Sequence, residues 1–600
     1  MKAVVFEVSF EVANKVGGIH TVLSTKAGSM MGNFDDYYVV GPYYKDKAKL
    51  EFEEEHDNPF ADSFRELEEQ GIKCYYGRWL IEGKPKCILV EPGALSDKKD
   101  GIKAGLWEKY KVDSIKAGWD YDEPVVWSEA AGIALEKIIS RLDAQVVCQF
   151  HEWLTGAALL HLKTVNSKAA LAFTTHATML GRSMAGNGME LCEDIEKGLA
   201  ENRICDDKIA KKLGMLPKHS MEKACARETD VFTSVSATTG REAQYILGKK
   251  PDILTLNGLN IRKFPSMEEL SLLHDRYKER VKHFCLAYFT PYYHMDVENT
   301  LYFFIAGRFE YRNKGIDLLI DSLHRLNERL KTENSPKNVV VFFWVPDATE
   351  GRNQEVMGNI SMFNGMLDEI ESNLEEIREN ILDSVCAGEI PESPDIFDET
   401  FIKDLKKRII QRQRGENASP PLSALNLSNK NNIILKNLVE KGLTNKADDK
   451  VKIVYYPAYL SSADGLLGLN YESGIMACHL GIFPSYYEPW GYTPVETAGR
   501  GVLSVTTDLA GFGKFIKEFI HDDKPAIKVI KREGVPYEES MKELSDYMYY
   551  VLNTERKERV MKKIEAKGLS ELTDWKNLIK NYIDAYKIAF EKAKQRTNNG

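Results

Sequence analysis

The chain has 600 residues, 43% of them apolar and 28% charged, with a formal net charge of −10. That length exceeds what one hydrophobic core organises and predicts two or more domains. The acidic balance excludes nucleic acid or an anionic membrane as the main partner.

Nine Cys are scattered without a CxxC or a Cys/His cluster, so neither a zinc site nor a disulfide framework is indicated and a reducing compartment is expected. The opening "MKAVVFEVSFEV" has no signal-peptide apolar segment, and no apolar run approaches the roughly 18 residues of a membrane span. A cytoplasmic location without a membrane partner is expected.

Short apolar runs alternate with amphipathic segments, the pattern of parallel α/β sheets. In chain order, strands are predicted at 2–8, 36–41, 144–150, 170–175 and 230–235, then at 301–308, 338–346 and 451–457. A helix is predicted over 315–331. Two more strands flank "YYEPWGYTPVE" (486–496), in "HLGIFPS" (479–485) and "VLSVTTD" (502–508). The expected architecture is α/β, with two doubly wound domains over 1–290 and 291–576 and a terminal helix over 577–600 packing back on the first.

Residues 350–450 break the alternation. Ile360, Phe363, Leu367, Ile370, Leu374, Ile377 and Ile381 recur at alternating 3- and 4-residue spacing, a heptad seam. One reading is a helical hairpin packed on its own domain. The favoured one is a protruding helical insert that oligomerises, because so regular a seam wants a helical partner.

Within "TPVE", Thr493 reads as a helix N-cap, Pro494 as the first helical residue and Glu496 as the acid of a capping box. The same geometry turns the N–H groups of Gly491, Tyr492 and Thr493 outward at a strand's carboxyl edge, where open α/β sheets bind phosphates. "GRFEYRNKG" (307–315) sets Arg308, Arg312 and Lys314 at the end of another strand, cations suited to a departing diphosphate. In the first domain, Gly17-Gly18 permits close backbone approach to a ligand. "FHEW" and "TTHATMLGR" place His151 and His176 at strand ends, with Arg182 close behind. Each feature alone has a plain structural reading as turn, satisfied histidine or surface charge; their common sheet edge favours a ligand. "DYD" (120–122) matches a metal-binding DxD only by chance.

Taken together, "EVANKVGGIHTVL", "FHEW", "FTTHATMLGR", "DVFTSVSATTGREA", "LNGLN", "AGRFEYRNKGID", "CHLGIFPSYYEPWGYTPVE" and "LSELTDW" closely resemble the animal and fungal glycogen synthases. The resemblance implies a GT-B fold: two Rossmann-like domains facing across a cleft. It implies glucose transfer from UDP-glucose to the non-reducing end of an α-1,4-glucan, with retention and with neither metal nor other cofactor. Family positions fall on Lys15, Gly17 and Gly18 near the donor phosphates, and on His176 and Arg182 beside the transferred glucose. Arg308 and Lys314 fall on the diphosphate, and Glu488, Trp490 and Gly491 on the sugar. Tyr471 and Tyr492 fall around the base and Glu496 at the ribose, with His151, Glu152, Asn257 and Thr493 completing the substrate-binding set.

Glu488 is either nucleophile or positioning group, and positioning with front-face attack is favoured. Rival readings are a GT-B synthase using ADP-glucose, a catalytically silent glucan-binding scaffold, and a phosphorylase using pyridoxal phosphate.

Animal and fungal relatives carry phosphorylated tails and an Arg-rich helix that senses glucose 6-phosphate. This sequence starts almost at its first strand and ends soon after its terminal helix, so control through tails is not expected. The sensing helix aligns with 555–568, basic at Arg556, Lys557, Arg559 and Lys563 but with Glu565 and Gly568 in place of Arg. His274, Lys278 and His479 match other effector positions, whereas Glu268 and Ser271 do not. A weakened or lost glucose 6-phosphate site is expected, with high activity in its absence. The basic "RIIQRQR" (408–414) lies in the insert and is not the sensor. A homotetramer is expected from the insert.

Overall fold

The computed structural model describes residues 3–415 and 418–598. Its central strands are near-continuous apolar runs because helices cover both faces of each sheet there, leaving no solvent side to demand alternation. The first sheet comprises β1 (Val4–Val8), β2 (Asp36–Pro42), β3 (Phe52–Glu54), β4 (Lys73–Trp79), β5 (Lys86–Glu91), β6 (Val146–His151), β7 (Ala170–Thr175), β8 (Val231–Ser234) and β9 (Ile253–Leu254). They lie in the order β3-β4-β5-β2-β1-β6-β7-β8-β9. β1 pairs in parallel with both β2 and β6, so chain order reverses there. β3 and β4 form an antiparallel edge that the sequence reading missed.

The second sheet holds β10 (Thr300–Ala306) and β11 (Asn338–Trp344). Beyond a small antiparallel pair, β12 (Thr349–Arg352) with β13 (Leu425–Leu427), it continues with β14 (Val451–Tyr455), β15 (Leu480–Ile482), β16 (Leu503–Thr507) and β17 (Ile527–Ile530). Its order is β14-β11-β10-β15-β16-β17, all parallel, with the reversal between β10 and β15.

Two boundaries differ from expectation. The helix Met267–Phe289 opens with a Ser266/Glu269 capping box and buries Val281, Phe284, Tyr288 and Phe289 against Phe342 and Trp344 of the second sheet. The second unit therefore begins near residue 266 rather than 291, since a helix belongs where its apolar face is buried. The helix Trp575–Asn598 packs Trp575, Tyr582, Tyr586 and Ala589 on the first sheet beside Val5, Val39 and Ala172. The chain thus crosses between the units twice, and the crossings pair: Leu259 N–H donates to Thr573 O at 3.0 Å and Trp575 N–H to Leu259 O at 3.3 Å.

The insert is shorter than 350–450. A 33-residue helix, Gln354–Cys386, is met by the helix Glu399–Arg412, and their ion pair joins Glu369 to Arg408. Residues after 418 return to the body, where Ile434 and Leu438 enter the second core. Of the heptad seam, Ile360 and Phe363 are buried at the base while Ile370, Leu374 and Ile381 are exposed. Arg412 and Arg414 of the basic run tie the insert down, donating to Leu286 O and Asn359 Oδ1. Among the described residues, no helix is long and apolar enough to cross a membrane.

Candidate active site

Ligands of open α/β sheets sit beyond the carboxyl ends of the strands where chain order reverses. The two reversal points face each other here across a cleft. Residues of the β15–β16 connection join the walls: Ser236 Oγ donates to Pro489 O at 2.6 Å and the Tyr487 hydroxyl to Glu242 Oε1 at 3.0 Å. Arg312, read from sequence as a diphosphate cation, instead bridges the domains through Glu190 at 2.7 Å and covers the Tyr486 ring.

On the second wall, the loop after β10 carries Arg308 and Lys314 and the loop after β15 carries Glu488. Gly315, with φ +67°, lets them meet, because a Cβ there would lie 1.9 Å from Pro484 O. Lys314 Nζ pairs with Glu488 Oε2 at 2.5 Å, both side chains under a fifth exposed at 18% and 19%. Arg308 is more open, 59% exposed, and touches Glu310 at 3.1 Å.

The following helix starts at Tyr492, with Gly491 (φ +101°) rather than Thr493 as its N-cap. Left-handed backbone favours glycine, and the helix therefore begins earlier than the Thr-Pro pair suggests. No capping box forms; Glu496 instead accepts from the Tyr471 hydroxyl at 3.3 Å. Burial raises the Glu496 pKa against the opposing pull of Arg500, Tyr471 and, from the other domain, Lys15.

One aromatic expectation is corrected. Trp490 is buried against Phe512 and Phe515, so its ring belongs to a core and not to a sugar surface. Tyr492 is partly buried between two cores, with its hydroxyl buried and unpaired among the described residues.

On the first wall, Gly17 and Gly18 open the helix Gly18–Asn33, and the Glu11 carboxylate accepts from the N–H groups of Gly17 (2.8 Å) and His20 (2.9 Å). Burial raises the Glu11 pKa, opposed by those N–H groups and by Arg308 across the cleft. Lys15 is exposed beside this turn.

After β7, the N–H groups of four successive residues each meet a buried glutamate. Glu152 accepts from His176 (2.8 Å) and Ala177 (3.1 Å), Glu242 from Thr178 (2.9 Å), and Glu222 from Met179 (3.1 Å). Burial lifts Glu152 to about 7 despite those donors and Arg182. Glu152 also holds φ +65° and ψ 169°, a conformation that costs a non-glycine residue about 1–3 kcal/mol. Arg182 stays charged because Tyr487, Glu310, Glu152 and Glu488 outweigh its burial, and this set places it opposite Lys314 and Arg308.

His151, expected at the substrate, is fully buried between Glu7 and His176 and reaches the cleft only through His176. Asn257 is buried, with its Oδ1 unpaired among the described residues. The carboxylates of "DYD" are taken by lysines, Asp120 by Lys218 at 2.6 Å and Asp122 by Lys103 at 2.9 Å.

Away from the cleft, His274, Lys278, His479, Arg556, Arg559 and Lys563 line a cavity of about 360 Å³ whose one acidic neighbour is Asp275. Lys563 Nζ lies 2.8 Å from His274 Nδ1. Burial, then Lys278 and Arg559, bring Lys563 down to about 8; burial and Lys563 bring His274 down to about 4.

The sequence model of the family described as glycogen synthase matches residues 7–598. The chain belongs to the glycogen synthase family. The glycogen [starch] synthase of Caenorhabditis elegans is 35% identical over 599 residues, covering 98% of this chain and 88% of that one. Human liver glycogen [starch] synthase is 34% identical over 596 residues, covering 98% and 83%. Isoform 1 of Saccharomyces cerevisiae is 34% identical over 613 residues, covering 98% and 86%.

Among solved structures, the starch synthase IV catalytic domain of Arabidopsis thaliana has a TM-score of 0.51 at 13% identity, covering 98% of this chain and 99% of that one. A UDP-forming trehalose-phosphate synthase from Burkholderia vietnamiensis has a TM-score of 0.50 at 11% identity, covering 99% of both. The fold is GT-B, and this glycogen synthase family member is a glycosyltransferase.

In this family member, Glu7, Glu11, Glu222 and Glu242 are carboxylates around the site that sequence reasoning missed. Glu11 leaves a faint signal, an acid six residues before the Gly pair. Glu222 and Glu242 leave none, since their partners lie 43 and 64 positions away.

Proposed function

We propose that the protein transfers glucose from UDP-glucose to the non-reducing end of an α-1,4-glucan with retention at the anomeric carbon. The observation that carries this reading is the Lys314–Glu488 pair at the second sheet's reversal point, flanked by Arg308 and faced by Arg182. Breaking the anomeric C–O bond loads negative charge onto the diphosphate. Arg308 and Lys314 supply preorganised positive charge where that develops, the effect that most lowers such barriers.

Glu488, held by Lys314, positions the sugar rather than attacking it. The acceptor hydroxyl enters on the face the diphosphate leaves, its oxygen bonding to the anomeric carbon while its proton passes to the departing phosphate oxygen. Glu496 with Tyr471 takes the ribose, and Lys15 with the Gly17-Gly18 turn takes phosphate oxygens. The decisive experiment mixes the purified protein with glycogen and either UDP-glucose or ADP-glucose and measures the nucleotide released. UDP release at least tenfold faster supports the reading; preference for ADP-glucose refutes the donor assignment.

The cationic cavity supports a retained site for glucose 6-phosphate rather than a lost one. Glu565, standing where the family has Arg, is turned to Ala526 N–H and Lys562. The exposed stripe of the insert, with Leu374 at 52% exposure, supports assembly into a homotetramer through paired helices.

A further inference from the structure

A line of buried polar groups runs from the C-terminal helix to the cleft. Lys26 Nζ lies over the Tyr582 ring, 3.7 Å from its centroid, and 2.5 Å from Glu7 Oε1. The same Glu7 oxygen is 2.7 Å from His151 Nε2, and its other oxygen accepts from the Tyr37 hydroxyl. His151 Nδ1 is 2.9 Å from His176 Nε2. Glu7, Lys26 and His151 are fully buried. A buried ion pair gains little net stability, because desolvation offsets the attraction, and glycosyl transfer as described uses neither Glu7 nor Lys26.

Hydrogen-bond chemistry propagates along this line in one direction. Burial would raise Glu7, but Lys26 and His151 outweigh it and keep the carboxylate ionised. An ionised carboxylate only accepts, so the His151 proton sits on Nε2. Burial keeps His151 and His176 neutral. The bare His151 Nδ1 must then accept from His176 Nε2–H, leaving His176 Nδ1 with its lone pair. No hydrogen bond reaches that nitrogen among the described residues.

We propose that Glu7 is a positioning residue for glucosyl transfer: through His151 it fixes His176 as the Nε2–H tautomer, so that the ring offers the donor sugar an acceptor for one hydroxyl. This rests on the reading that His176 faces the transferred glucose. The relay makes that position selective for a group that donates a hydrogen bond.

The test uses full-length protein labelled with ¹⁵N-histidine. A long-range ¹H–¹⁵N correlation separates protonated from bare ring nitrogens, and His176→Asn assigns the His176 signals. A protonated Nε2 and bare Nδ1 are expected; a proton on Nδ1, or on both, overturns the proposal.

In parallel, kcat/KM is measured with UDP-glucose and with donors lacking each glucose hydroxyl in turn. Wild type should disfavour one deoxy donor by about tenfold, the worth of one hydrogen bond. His151→Phe and Glu7→Leu should lose that discrimination. Glu7→Gln, which keeps an oxygen toward Lys26 and His151, should retain more of it than Glu7→Leu. Unchanged discrimination in folded His151→Phe overturns the relay; if that variant does not fold, the wild-type spectrum decides. A His176→Asn variant with wild-type donor discrimination ends both this inference and the reading beneath it. A His176→Asn deficit with the wrong tautomer ends this inference alone.

Discussion

Removing Lys314 probes the leaving-group wall most directly. On the proposed reading, Lys314→Ala takes away a cation from the diphosphate, and it strips Glu488 of its partner at 2.5 Å. Losing one preorganised donor to developing charge lowers kcat by about 10²–10³. The pair's own coupling is set by its exposure. Exposed pairs couple by about 0–1 kcal/mol, whereas breaking a buried pair costs about 3–5 kcal/mol. With both side chains four-fifths buried, about 1.5–3 kcal/mol is expected, within the range for groups in contact. Single-turnover rates of UDP release by Lys314→Ala, Glu488→Gln and the double variant give that coupling as a cycle. The double variant should be only a few-fold slower than the worse single one. Strict additivity of the two losses, or a Lys314→Ala rate within threefold of wild type, would refute the idea that the two groups act as one unit.

Four further sites carry expected outcomes of their own. Gly315→Ala places a methyl against Pro484 O in left-handed backbone, a conformation costing about 1–2 kcal/mol before the clash; a fall of several degrees in Tm with loss of activity is expected by calorimetry. The Glu152 pKa of about 7 predicts an acid limb near pH 7 in kcat/KM, because only the ionised carboxylate accepts fully from His176 and Ala177; Glu152→Gln should abolish that limb. The stability sign is opposite: the folded state holds this proton more tightly than the unfolded chain, so its contribution to stability falls as pH rises from 4.5 to about 7, as urea titrations across that range should show. Glucose 6-phosphate binding to the cationic cavity should weaken above pH 8, where Lys563 loses its proton, and calorimetric titration at pH 7 and pH 9 checks this. Replacing exposed Leu374 and Ile381 with Lys should shift light-scattering mass from tetramer toward smaller species without altering the fold by circular dichroism.

The buried strands were legible because runs such as "LYFFIA" and "NVVVFFW" have no polar alternation to confuse their assignment. The edge strand "KCYYGRW" was not, since Lys, Gly and Arg dilute it and its pairing depends on β5 rather than on its own residues. The strand-end positions of Arg308, Lys314, His176 and Arg182 were legible, as the end of a parallel strand is visible in sequence. Trp490 was misplaced because an aromatic beside a glycine reads alike on a sugar surface and in a core. The roles of Glu7, Glu222 and Glu242 depend on partners distant along the chain. The boundary expected at 290 falls near 266 for the same reason: amphipathic spacing reveals that a face is buried and not which sheet buries it.

The paired crossings at Leu259 and Thr573–Trp575 join the halves by a two-ply strap. A single linker would permit swivelling in any direction, whereas two hydrogen-bonded plies resist torsion and yield mainly by bending together. Such a strap favours bending over twisting between the halves, the displacement that least disturbs the facing of Lys15 to Glu496 and of Arg182 to Glu488. A nick in either ply would leave the halves tethered but free to twist, so alignment would suffer before attachment did.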